Sequence, residues 1–160
     1  MDVEIRKEYE ETAYNLFEVT KARRLLWPIW ITPQIFEEAI NLYETFTLVC
    51  YKDYIEHEIM SGCLWELIKD YKNHKDFSAG FGELDMQIYP KLFEEVELRR
   101  ASDSPQTIIE MIRSAKTPFV VFFQNGRVIQ MMPAGLVLLV CKRSIAKHVN
   151  GIIAELNGDR

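Results

Sequence analysis

Few side chains in this sequence have the types and spacing to do chemistry. Thiol chemistry would rest on Cys50, Cys63 and Cys141. A thiol reacts as its thiolate, which a helix N-terminus, a nearby cation or a paired cysteine must stabilise. Each of these three sits instead in an apolar neighbourhood, where a free cysteine acts as a small buried hydrophobe. An odd count of three also gives no disulfide scaffold. Acid–base chemistry would rest on Glu56-His57-Glu58, because two carboxylates raise the affinity of a histidine for a proton or hold a cation. The competing reading, and the one preferred, is a solvated first helical turn in which the dipole favours acids. His57, His74 and His148 lie far apart and pair with no cysteine or carboxylate at a zinc-like spacing, so neither metal nor cofactor is expected.

Three further patterns in the sequence have a functional and a plain reading. Leu98-Arg99-Arg100-Ala101-Ser102 matches a basophilic kinase substrate, making Ser102 a candidate phosphosite that would gain about −1.5 to −2 charge beside two arginines. Asp103 stands where such kinases prefer an apolar residue, which favours a plain loop. Arg143 and His148, with four residues between them, match the spacing of an all-helical ribonuclease family, but that family needs a four-helix bundle and the hairpin described below contradicts one. Lys21, Arg23, Arg24, Trp27 and Trp30 set cations beside aromatics, as base-stacking proteins do. In an acidic chain the better reading is a helix end followed by aromatic anchors, with Trp27 and Trp30 as interface candidates.

Hydrophobic spacing gives the elements that must position these residues. Residues 2–26 read as a helix with acids first and bases last, an order that suits the dipole. Pro28 ends it. Thr32-Pro33 supplies a cap and first-turn proline for a second helix bearing Ile35, Phe36, Ala39, Ile40 and Tyr43. Residues 45–52 read as a strand, and 54–71 as a long helix with Ile55, Ile59, Met60, Cys63, Leu64, Leu67 and Ile68 on one face. A short strand is expected within 77–86, weakened by Gly80 and Gly82. A helix follows from Pro90 to Leu98, and another after Ser104-Pro105. Residues 117–132 form two β runs joined by Asn125-Gly126, the dipeptide of a two-residue hairpin. Residues 136–141 read equally as strand or helix, before a closing helix to Leu156.

This order is an α/β pattern, and it resembles the thioredoxin-like superfamily. The residues that carry the resemblance are Thr117-Pro118, the runs 119–123 and 127–131 about Asn125-Gly126, and Gly135 before the last helix. Upstream, TPQIFEEAI, FTLVCY, the helix to Tyr71 and GELDM are similar to the family's first helix, central strand, second helix and next strand. The resemblance implies a mixed sheet with a C-terminal antiparallel hairpin, plus an extra N-terminal helix. It also implies a cis peptide before Pro118, facing the active site. The departure from the family lies at the start of the second helix, where its enzymes carry a CxxC or at least one cysteine. Here residues 54–61 read Tyr-Ile-Glu-His-Glu-Ile-Met-Ser. Residues 94–115 look like an insertion.

The 160 residues fit one domain, 1–160, divided into an N-terminal helical extension, 1–30, and a thioredoxin-like core, 31–157. A 48% apolar share with 27% charged residues excludes disorder. The net charge of −5 argues against nucleic acid, and the longest apolar run, six residues, falls far short of the about 20 that span a membrane. The charged N-terminus lacks a secretion signal's apolar run, so a cytoplasmic location is expected. The expected function is a redox-inactive, non-catalytic protein-interaction or adaptor module whose partner is another protein or a second copy of the chain. Its binding residues would be drawn from Trp27, Trp30, Glu56, His57, Thr117 and Pro118. The alternatives are a thiol-dependent oxidoreductase using Cys63 near Pro118, and a small inhibitor or immunity-type protein that blocks an enzyme.

Overall fold

The computed structural model describes residues 2–71, 78–137 and 152–156. Helix α1 (Val3–Arg23) starts on Asp2, whose side chain accepts from the Glu4 amide at 2.7 Å. It ends where Arg24 turns left-handed (φ 53°), three residues before the expected end at 26. Strand β1 (Ile29–Trp30) was not expected. Two residues carry no alternation for a sequence pattern to detect, and this strand exists through its parallel pairing with β3 (Ala79–Asp85), Ile29 opposite Gly82 and Trp30 opposite Glu83. Helix α2 (Phe36–Leu42) begins later than Thr32-Pro33 suggested. The Thr32 carbonyl closes a tight turn by accepting from the amides of Ile35 and Phe36, at 3.2 and 3.1 Å, before the helix proper.

Strand β2 (Thr45–Tyr51) is central, with β3 parallel on one side and β4 (Phe119–Gln124) antiparallel on the other. All seven of its residues are therefore buried. Strand β5 (Arg127–Met132) completes the order β1-β3-β2-β4-β5, and the turn between β4 and β5 holds Asn125 and Gly126 at φ 51° and 79°, as a two-residue hairpin requires. The Thr117–Pro118 peptide is cis.

The two faces of this sheet carry separate cores. Phe46, Leu48 and Cys50 of β2 pack with Phe17 of α1, Phe36, Ala39 and Ile40 of α2, and the short helices α4 (Leu92–Glu95) and α5 (Ile108–Arg113). Val49 and Tyr51 point the other way, toward Met60, Cys63, Leu64, Leu67 and Ile68 of helix α3 (Tyr54–Tyr71). That alternation is the period-two geometry of a strand buried on both faces.

The segment that looked like an insertion lies along the hairpin's outer edge. The Val128 amide donates to the Arg99 carbonyl at 2.7 Å and the Ala101 amide to the Val128 carbonyl at 2.9 Å, giving an isolated parallel bridge between Arg100 and Val128. The bridge satisfies the outward amide and carbonyl of Val128 on this edge strand. Within 136–141, helix α6 (Ala134–Val137) accounts for the first two residues and the rest lie outside the described ones. Residues 152–156 are helical, with Ile153 against the α3 face of the sheet.

Candidate functional site

The carboxyl ends of the parallel strands β1, β2 and β3 converge on the first turn of α3, which is where ligands sit in open α/β sheets. A cleft of about 310 Å³ opens there. Its rim is set by capping. Asp53 Oδ1 accepts from the Glu56 amide at 2.8 Å, while Glu56 Oε1 reaches back to the Lys52 amide at 2.9 Å. This reciprocal arrangement satisfies two backbone donors near the helix start and leaves Glu56 with a structural task. Glu58 accepts from the Tyr54 hydroxyl at 2.9 Å on the exposed side. His57 alone of the acidic triplet lines the cleft, its ring centroid 4.7 Å from that of Tyr51.

Beneath His57 lies Glu83. It occupies the middle of β3 between Trp30 and Val49, and only 6% of it is exposed. His57 Nε2 stands 3.8 Å from Glu83 Oε1, an electrostatic contact longer than a hydrogen bond. Glu83 Oε2 has no hydrogen-bond partner among the described residues. Burial pushes this carboxyl above the usual carboxylate range, and Asp85 adds to the rise, while His57 opposes it. Tyr9, reaching in from α1, stacks on Trp30 with centroids 5.3 Å apart and planes 10° from parallel. The hydroxyls of Tyr9 and Tyr51 are raised by burial first and by the Glu83 charge second.

The expected binding residues divide between surfaces. Trp30 and His57 meet in the cleft, whereas Trp27, 42% exposed, precedes β1 and lies outside it. Phe119 pairs with Cys50, so Thr117 and Pro118 approach the end of β2 on its β4 side, across β2 from β3 and Glu83. Cys63 lies more than two turns into α3, fully buried, its thiol pushed up to about 12 by burial and then by Glu66. The Cys50 thiol, also buried, is raised well above its ordinary value by the same desolvation. Ser102 is exposed in a turn closed by the Ser104 amide on the Ala101 carbonyl, and Arg100 donates to the Ser104 carbonyl at 2.8 Å. His74, Cys141, Arg143 and His148 lie outside the described residues. Among the described residues no group of three or more metal-ligating side chains comes together.

Sequence reasoning missed Glu83, Tyr9, Tyr51 and Asp85 as site residues. A signal for two of them was present in GELDM: acids two apart in a strand share a face, and Glu83 has apolar or glycine neighbours on both sides.

No protein-family model and no curated protein matches the sequence. Solved structures do match in shape. The zinc-bound form of human ERp44 is 16% identical over 76% of this chain with a TM-score of 0.50, and the present chain spans 30% of its length. A thioredoxin mutant from Halobacterium salinarum NRC-1 is 11% identical, covering 78% of this chain and 89% of its own, with a TM-score of 0.48. Mitochondrial thioredoxin 3 from Saccharomyces cerevisiae is 17% identical, covering 74% and 92%, with a TM-score of 0.46. Identities this low speak to architecture alone. The strand order, the antiparallel hairpin and the ERp44 likeness together make this a thioredoxin-like mixed α/β fold preceded by an N-terminal helix.

Proposed function

We propose that this thioredoxin-like fold serves as a protein-interaction module that performs no thiol redox chemistry. The observation that carries the reading is the first turn of α3, which presents Tyr54 and Ile55, 73% and 71% exposed, where the fold's enzymes present a thiol. Adjacent exposed apolar side chains are characteristic of contact surfaces, and Tyr54 adds a hydroxyl able to bridge to a partner. The raised Cys63 and Cys50 thiols support the same reading, since a protonated, buried thiol attacks nothing. Trp27, 42% exposed, is a separate apolar side chain at the amino end of β1.

Two measurements test this. Native-state labelling by a thiol probe near neutral pH, mapped by peptide mass spectrometry, should modify Cys63 no faster than the protein unfolds; rapid labelling of Cys63 would restore the oxidoreductase reading with Pro118 nearby. Tagged protein purified from its host should retain a stoichiometric partner that Tyr54→Glu with Ile55→Glu releases at least tenfold, with the circular dichroism spectrum unchanged. Equal retention by this variant removes the α3 start as the contact surface.

A further inference from the structure

We propose that the cleft between Tyr9, Trp30, Tyr51 and His57 receives a guanidinium group, an arginine side chain of the partner protein, with Glu83 as its counter-ion. This rests on the interaction reading above and names the chemistry of the partner.

The charge of the lining comes first. Glu83, Asp85 and Asp53 supply three carboxylates against one lysine, Lys52. One oxygen of Asp53 accepts from the Glu56 amide and one of Asp85 from the Gln87 amide at 2.9 Å, so each does structural work in a turn. Glu83 is different: it is the most deeply placed of the three, and its Oε2 is unpaired among the described residues. Oε2 is enclosed by the protein, so a cation bound in the cleft offsets the cost of this buried carboxylate through its charge. A lined anion site would need the opposite balance.

Shape then narrows the cation. A metal ion would want three or more ligating groups, and the described residues offer no such set. The Tyr9–Trp30 stack and the Tyr51 ring, itself packed against His57, line the cleft with planar aromatic groups, and a cation lying over an outer ring face gains from the quadrupole. A guanidinium is planar, stacks on aromatics and is less strongly hydrated than an ammonium, so it enters a desolvated carboxylate site at lower cost. The volume of about 310 Å³ is at the small end for ligand pockets and accommodates one side chain.

The test titrates N-acetyl-arginine amide into the full chain, with the blocked lysine and the neutral citrulline analogues in parallel, following backbone amide shifts by nuclear magnetic resonance. The arginine probe should saturate in the millimolar range with shifts centred on Trp30, His57 and Glu83, the lysine probe should bind several-fold more weakly, and citrulline should not bind. Glu83→Gln should weaken the arginine probe at least tenfold. Trp30→Leu should weaken it several-fold, and it serves as the deciding variant if Glu83→Gln does not fold. No saturable binding, equal binding by citrulline, or full affinity in a folded Glu83→Gln or Trp30→Leu protein overturns the site. Tighter binding of free arginine than of the blocked amide would assign the cleft to a small molecule and overturn the partner side chain. The blocked amide needs no partner present, so its failure leaves the Tyr54–Ile55 contact surface standing, and failure of that surface leaves the probe result intact.

Discussion

The imidazole Nε2 of His57 stands 3.8 Å from Oε1 of Glu83, joining the exposed first turn of α3 to the buried middle of β3. Burial is the larger influence on this carboxyl, and it raises the folded-state affinity for a proton above that of the unfolded chain. The stability that protonation of Glu83 contributes is therefore complete below the ordinary carboxylate value of about 4.3 and is lost as pH rises through the higher folded value. The groups facing Glu83 are His57 from α3, Tyr51 from β2, Tyr9 from α1 and Asp85 on its own strand. Glu83→Gln keeps the shape and removes the charge. It should raise the melting temperature near pH 8 by roughly 2–4 °C, the shift that about 1 kcal/mol gives in a chain of this size, with the difference shrinking toward pH 4. A melting temperature at pH 8 equal to or below the parent's would show that the buried Glu83 charge carries no net cost in the folded protein.

Helix α1 is tied to the sheet through the Tyr9–Trp30 stack and through Phe17, which is buried in the core beneath it. An offset aromatic pair contributes about 0.5–1.5 kcal/mol beyond its buried area. A double-mutant cycle of Tyr9→Leu and Trp30→Leu, read by urea unfolding, should return a coupling of about 1 kcal/mol. Additive losses would mean that the rings touch without mutual stabilisation, and that α1 is held by its other contacts, Phe17 and the Lys21–Glu38 pair among them.

The glycines of β3 make room rather than turns. A Cβ on Gly82 would lie 2.6 Å from Cζ of Phe46 and 2.9 Å from its Cε1, and one on Gly80 would run into the Tyr43 ring. Phe46 is fully enclosed and meets Phe123 at 6.5 Å between centroids, so its ring has nowhere to go. Gly82→Ala should destabilise by about 1–3 kcal/mol through overpacking, measured by chemical denaturation, despite the better strand propensity of alanine. A neutral outcome would require the Phe46 ring to repack.

The strand expected within 77–86 is present as β3, and the glycines that weakened that expectation have a reason the sequence did not show. Within 77–86 they argue against a strand, because glycine is usually absent from strand interiors; Tyr43 and Phe46 lie far away in sequence, so the need for empty space could not be read locally. Strand β1 was invisible for a related reason: two residues become a strand only by pairing with β3. Elements that depend on their own periodicity were legible. Helix α3 runs from Tyr54 to Tyr71 as its apolar spacing requires, and the Asn125-Gly126 turn joins β4 to β5. The candidate site was half legible, since His57 and Trp30 were named from type, while Glu83 and Tyr9 join them only through β3 register and the docking of α1.

The start of α3 supplies the last prediction, because one pair of hydrogen bonds there shapes the contact surface and the cleft together. Asp53 and Glu56 hold the amides of Glu56 and Lys52, and the turn they fix carries Ile55 outward and Tyr54 to the exposed rim of the cleft, while His57 turns in over Glu83. Removing such a cap costs about 1 kcal/mol, with loss concentrated in the first helical turn. Asp53→Ala should lower global stability by that amount in urea unfolding, and Asp53→Ser or Asp53→Asn should restore most of it. Hydrogen exchange should accelerate in residues 54–57 far more than in the buried middle of the helix around Cys63 and Leu64, which the sheet holds independently. Uniform acceleration along the whole of α3 would mean that the helix opens as one unit, and that its first turn owes its position to core packing rather than to the cap.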